Sequence, residues 1–116
     1  MIRKAADAEV VVMENMRGGT GSVAIPLLAQ QAELYDKSRL FAKTVIKPGC
    51  SIGYHVHENE MEAYYIISGV GTYDDNGEAT VELHPGDTSI TLAGQGHAIV
   101  NNGDEDIVMI ALIVMQ

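Results

Sequence analysis

The stretch from Gly49 to Gly69, GCSIGYHVHENEMEAYYIISG, constrains this chain more than any other part of it. His55 and His57 flank a single residue. On a β-strand alternate side chains share a face, so both imidazoles point the same way and can share one metal ion. Glu62 follows His57 at an odd separation, which would place it on the opposite face if the strand simply continued. The polar run Glu58 to Met61 therefore predicts a turn. Ala63 to Ser68 (AYYIIS), rich in aromatic and β-branched residues, predicts a returning strand that carries Glu62 back to the histidines. Glu60 has the parity of Glu62 but lies closer to the turn, which puts its carboxylate at the hydrated mouth of the site, free to contact a substrate or nothing.

A second segment supplies a further imidazole. From Gly86 the chain reads GDTSITLAGQGHAIVN, with His97 after a glycine-rich turn and Asn101 closing the strand that follows. Histidines 55, 57 and 97 with Glu62 make a nitrogen and oxygen donor set. Such a set suits Mn, Fe, Co, Ni or Zn, whereas Mg and Ca prefer all-oxygen shells. An ion that accepts more ligands than the protein offers keeps positions open for water, dioxygen or a chelating substrate.

These segments resemble the two sequence motifs of the cupins. The first motif is glycine, five residues, H-x-H, three or four residues, glutamate, six residues, glycine, and it falls on Gly49, His55, His57, Glu62 and Gly69. The second is glycine, five residues, P-x-G, two residues, histidine, three residues, asparagine, and it falls on Gly86, Leu92, Gly94, His97 and Asn101. Only Leu92 departs, standing where the motif has proline. The resemblance implies a cupin double-stranded β-helix, a jelly-roll β-barrel. It also implies that His55, His57, Glu62 and His97 ligate a divalent transition metal.

The flanks agree with that architecture. At 116 residues the chain is long enough for one core, so a single domain is expected over 1–116, with the motifs at 49–69 and 86–101. Several short strands broken by glycine and proline predict an all-β sandwich or barrel with at most one short helix. A short helix or helical turn is expected from Pro26 through Leu34 (PLLAQQAEL). Arg39 to Lys47 alternates as a strand. Leu40, Ala42, Thr44 and Ile46 form the expected core face, with Arg39 and Lys43 on the other, facing solvent, a subunit or an anionic ligand. Asn76-Gly77 predicts a hairpin between Val70–Tyr73 and Ala79–Leu83. Arg17 lies in the glycine-rich segment NMRGGTGS, which reads as a mobile loop rather than an anion clamp because it matches no phosphate-binding pattern. His84 and Cys50 fall in turns and read as bystanders.

Charge and composition exclude several partners. A net charge of −9 and a pI near 4.6 argue against nucleic acid and anionic membrane, both of which need a basic footprint. Cys50 is the single cysteine, which precludes an internal disulfide and fits a reducing cytoplasm. The apolar run before Glu14 is too short for a secretory signal, and Ile107 to Met115 falls well short of the roughly 20 residues that span a bilayer. That last run is apolar on both strand faces, so one face needs a cover outside the core. A second subunit, giving a homodimer, or the N-terminal segment would supply it.

The resemblance spans dioxygenases, decarboxylases, isomerases, lyases and binding proteins, and does not choose among them. The expected function is a small metalloenzyme acting on a small oxygen-rich molecule chelated at the metal, with a noncatalytic binding or sensing module as the other class. Tyr64 shares the parity of Glu62 and is the candidate substrate-facing hydroxyl, the alternative being a tyrosine packed in the barrel wall.

Overall fold

The structure is a computed structural model describing residues 1–116. Ten strands form two antiparallel sheets. They are β1 (Val10–Glu14), β2 (Ser22–Pro26), β3 (Ser38–Ile46), β4 (Ser51–Val56), β5 (Glu60–Ser68), β6 (Gly71–Asp75), β7 (Ala79–Leu83), β8 (Thr88–Thr91), β9 (Gly96–Val100) and β10 (Ile107–Met115). One sheet has the order β1-β2-β3-β10-β5-β8 and the other β4-β9-β6-β7. This is the expected jelly-roll architecture, with no α-helix. No helix is long and apolar enough to cross a membrane.

Inward side chains of the two sheets interleave unevenly along the barrel. Toward one end Ile46, Ile52, Ile66, Ile99, Ile107 and Met109 are almost wholly buried and pack as an apolar plug. Burying an isoleucine of this kind stabilises the fold by about 1.5–3 kcal/mol. Asn101 fastens this end. Its amide donates to the carbonyls of Ile46 at 2.8 Å and Glu105 at 2.7 Å, and its side-chain oxygen accepts from Gly103 N–H. Toward the other end, where β10 pairs Ile113 with Glu62 and β4 pairs His55 with His97, the barrel opens into a cavity of about 420 Å³.

The strand β3 buries Ala42, Thr44 and Ile46 as its alternation predicts, and Lys43 lies exposed on the outer face. The hairpin over Asn76-Gly77 forms as expected, its loop spanning residues 76–78 between the paired Asp75 and Ala79, with Asn76 and Gly77 at positive φ and Glu78 N–H donating to Asp75 O. Of the short helix or helical turn expected from Pro26, only the turn forms, and it begins later. Pro26 is instead the last residue of β2, Leu27 bridges Ala42, and only a 3₁₀ turn at Gln31–Leu34 follows, closed by reciprocal bonds between Gln30 and Glu33. Backbone groups at the start of this segment are taken by the sheet: Leu27 N–H donates to Glu9 O and Leu28 N–H to Phe41 O, so helical bonding begins only at Gln30, whose carbonyl accepts from Glu33 and Leu34 N–H.

Candidate metal centre

The turn between the histidines and the glutamate is tighter than the sequence predicted. β4 ends at Val56 and β5 begins at Glu60, so the reversal occupies residues 57–59, with Asn59 at φ 58°. The polar run read as Glu58–Met61 is therefore half turn and half strand. Glu62 still arrives on the inner face, because the even step from Glu60 preserves its parity.

A bulge in β4 aims His55. Ile52 pairs with Ile99 and His55 with His97, so three steps on β4 oppose two on β9, and the extra residue lets both Ile52 and His55 face inward. The free carbonyl at the bulge is used: Gly53 O accepts from His55 Nδ1 at 2.8 Å. Gly53 also admits the N-terminal loop, since a Cβ there would overlap the backbone carbonyl of Arg17.

The four predicted ligands come together. One donor atom from each of His55, His57, Glu62 and His97 lies within 4.8 Å of every other. Glu62 Oε1 is 3.0 Å from His57 Nε2 and 2.9 Å from His97 Nε2, and those two nitrogens are 3.1 Å apart. His57, Glu62 and His97 are buried, and His55 is half-buried at the cavity side. On each ring the outward nitrogen is already engaged. His57 Nδ1 lies 2.6 Å from Glu60 Oε2, and His97 Nδ1 lies 2.8 Å from the Tyr73 hydroxyl and 2.9 Å from Thr91 Oγ1. With a metal bound, partners on Nδ1 would hold a proton there and leave Nε2 to present its lone pair inward, the arrangement metal-ligating histidines adopt; without one, Nε2 is free to donate to Glu62.

The electrostatics fit a cation at this point. Burial pushes the Glu62 carboxyl up, but hydrogen bonds from His57 and His97 outweigh it and hold the group at about 2. Glu62 is thus an anion inside the barrel. Hydrogen bonding to Glu62, joined by Glu60, raises the pKa of His57 against the opposing effect of burial, while burial lowers that of His55. A cluster that draws a proton onto His57 is asking for positive charge. Three imidazoles and one carboxylate facing a common point form a candidate site for a divalent metal ion.

Around this centre lie groups that spacing did not reveal. Glu60 is not free at the mouth as expected: besides His57 it accepts two hydrogen bonds from Arg39, at 2.7 and 2.6 Å. Arg39 reaches it because Ile113 pairs with Leu40 and Val114 with Ser38, which makes Arg39 the extra residue of a second bulge. The shared parity of Glu60 and Glu62 was the signal that could have found this contact. Tyr73 and Thr91 had no such signal: Tyr73 reaches His97 because β6 and β9 are neighbours, and Thr91, on β8 of the other sheet, meets it across the barrel interior. Tyr64 lines the cavity, is 3% exposed and stacks on His97 with centroids 4.8 Å apart. Burial, then the Glu62 charge, pushes its hydroxyl well above the usual range, so it remains a donor. Arg17 lines the cavity as well. Its segment, expected to be a mobile loop, is bonded to β4 through Thr20 N–H to Ser51 Oγ and Ser51 N–H to Thr20 O, both at 2.8 Å. His84 lies on the surface, and Cys50 packs against the core, as bystanders would.

Comparison with known proteins bears on this centre. A protein of Thermotoga maritima named oxalate-binding protein is 37% identical over 115 residues, 99% of this chain and 94% of that one. A crystal structure from Thermotoga maritima, described as "a predicted oxalate decarboxylase", superposes with a TM-score of 0.94 at 37% identity, covering 100% of both chains. A cupin 2 conserved barrel domain protein from Salinispora arenicola shares the fold, with a TM-score of 0.75 at 24% identity over 98% of this chain and 87% of that one. The family model described as the cupin domain matches residues 42–114, the span that holds both motifs and all four candidate ligands, and the chain belongs to the cupin family.

Proposed function

We propose that this cupin is a metal-dependent enzyme acting on a small oxygen-rich acid, with His55, His57, Glu62 and His97 as the metal ligands. The observation that carries this reading is the convergence of four nitrogen and oxygen donors on the wall of a cavity of about 420 Å³. A divalent ion held there would supply a localised positive charge for chelating oxygens and for negative charge developing on them. The chain's own residues supply the rest. Glu60, Tyr73 and Thr91 orient the imidazoles, and the apolar cavity wall excludes water from a bound acid. Tyr64, kept protonated by burial, is the hydroxyl placed to donate a hydrogen bond to a ligand oxygen. A relative named for oxalate binding favours a second reading, a noncatalytic binding module for a small acid. Either role fits one domain working in the cytoplasm.

Metal analysis of purified protein is expected to find about one transition-metal ion per chain, and removal of the ion should lower the melting temperature. Metal-loaded protein is then incubated with oxalate, 2-oxo acids, sugars and phenols, with and without oxygen. Metal-dependent turnover supports the enzyme, whereas thermal stabilisation without turnover supports the binding module. Protein that takes up no metal under any loading condition overturns both.

A further inference from the structure

The cavity is poorly matched to oxalate, whose two carboxylates are directly joined. Of its 17 lining residues 11 are hydrophobic, and a ligand held only at the metal ligands would leave Val11, Met16, Leu27 and Leu40 facing water. Cavities of about 300–1,000 Å³ with mostly apolar walls and a few placed polar groups suit larger molecules. Besides the metal-ligand set and the Tyr64 hydroxyl, the polar lining groups are Arg17, Arg39 and Thr44. The Arg39 fork is committed to both oxygens of Glu60. The Arg17 guanidinium makes no ion pair and no side-chain hydrogen bond.

Arg17 is also held in place by costly geometry. Its backbone is left-handed, at φ 55° and ψ 32°, a conformation that strains a non-glycine residue and persists where the surroundings enforce it. Its carbonyl packs on Gly53 of β4, one residue from Tyr54 and two from His55. The backbone of this residue is therefore registered to the strand that carries His55. On a chain of net charge −9 the long-range field repels anions, so recognition of one has to be local.

Resting on the chelation reading above, we propose that the ligand is an organic acid with a chelating head at the metal, a short apolar body along the cavity, and a distal carboxylate bound by Arg17. One guanidinium matches one carboxylate, in charge and in its two-pronged hydrogen bonding. A charge-assisted bond of this kind tightens binding by about tenfold or more.

The test compares 2-oxohexanoate with 2-oxoadipate, which share a chelating head and chain length and differ by the distal carboxylate. Affinities are measured calorimetrically on metal-loaded protein, on metal-free protein and on metal-loaded Arg17→Gln. The expected result is metal-dependent binding of both probes, 2-oxoadipate about tenfold tighter, and loss of that difference in Arg17→Gln with unchanged metal content. Equal affinities in the wild type, or a preference that survives Arg17→Gln, overturn this inference and leave chelation standing. Failure of both probes to bind in a metal-dependent way overturns chelation and the inference together.

Discussion

His57 is gripped from both sides by carboxylates two residues apart in sequence: Glu60 Oε2 lies 2.6 Å from Nδ1 and Glu62 Oε1 lies 3.0 Å from Nε2. One glutamate stands where a metal ligand would, and the other stands behind the ring. Glu62→Gln removes an anionic donor from the centre and should abolish most metal binding. Glu60→Gln keeps an acceptor near Nδ1 but loses its charge and weakens the Arg39 pair, so metal affinity should fall by about 10–100-fold while saturating metal still fills the site. Titration of both variants with Zn or Mn, monitored by metal content, checks the order. If Glu60→Gln bound no metal and Glu62→Gln bound it normally, the assignment would be reversed.

His97 carries a parallel prediction. Its Nδ1 has two hydroxyl partners, Tyr73 and Thr91, which also bond each other at 2.9 Å. Tyr73→Phe or Thr91→Val alone leaves one partner, so each should weaken metal affinity by less than about tenfold. The double variant leaves a buried ring nitrogen unpaired and should cost about 10–100-fold. Additive, small losses in the double-mutant cycle would mean that the hydroxyls do not act through His97.

The opposed pKa shifts of Glu62 and His57 set a pH window for the metal-free protein. Glu62 is lowered from 4.5 to about 2, so its contribution to stability is present above pH 4.5 and lost as pH falls toward 2. His57 is raised from 6.5, so its contribution is present below pH 6.5 and lost as pH rises through the folded value. Both act fully between about pH 4.5 and 6.5, where the urea midpoint of chelator-treated protein should be highest. Metal-loaded protein should behave oppositely above pH 6, becoming more stable as protons cease to compete for His57. A midpoint for metal-free protein that keeps rising past pH 8 would contradict the coupling of these two groups.

The outer face of the six-stranded sheet predicts self-association. Phe41 and Leu112 pair across β3 and β10, and Tyr65, Ile67 and Ile90 continue the apolar surface on β5 and β8, each of these three about half exposed. The N-terminal segment, the other cover considered, does not lie there: it pairs with β2 at the sheet edge as β1. A homodimer is the expected state, since an apolar face of this breadth is rarely left to solvent. Light scattering at micromolar concentration should give twice the chain mass, and Tyr65→Lys with Ile67→Lys should halve it. A monomeric wild type would refute the assignment.

What the sequence determined by itself was everything carried by period and local chemistry. The alternation of Leu40 to Ile46 identified a buried face, Asn76-Gly77 identified a hairpin, and the spacing of His55, His57, Glu62 and His97 identified a candidate ligand set, because strand geometry and turn chemistry act over a few residues. Tertiary structure decided the rest. Two bulges, at Gly53–Tyr54 and at Arg39, shift side chains between faces, and their position depends on which strands pair. Tyr73 meets His97 through sheet order and Thr91 meets it across the two sheets, while Arg17, exposed at the rim, lines the cavity because a distant glycine leaves room for its backbone. Contacts of this kind join residues far apart in the chain, where no local period can record them. For the same reason Pro26 closes a strand rather than opening a helix: β3 and the N-terminal segment claim the backbone groups of Leu27 and Leu28 before a helical turn can use them.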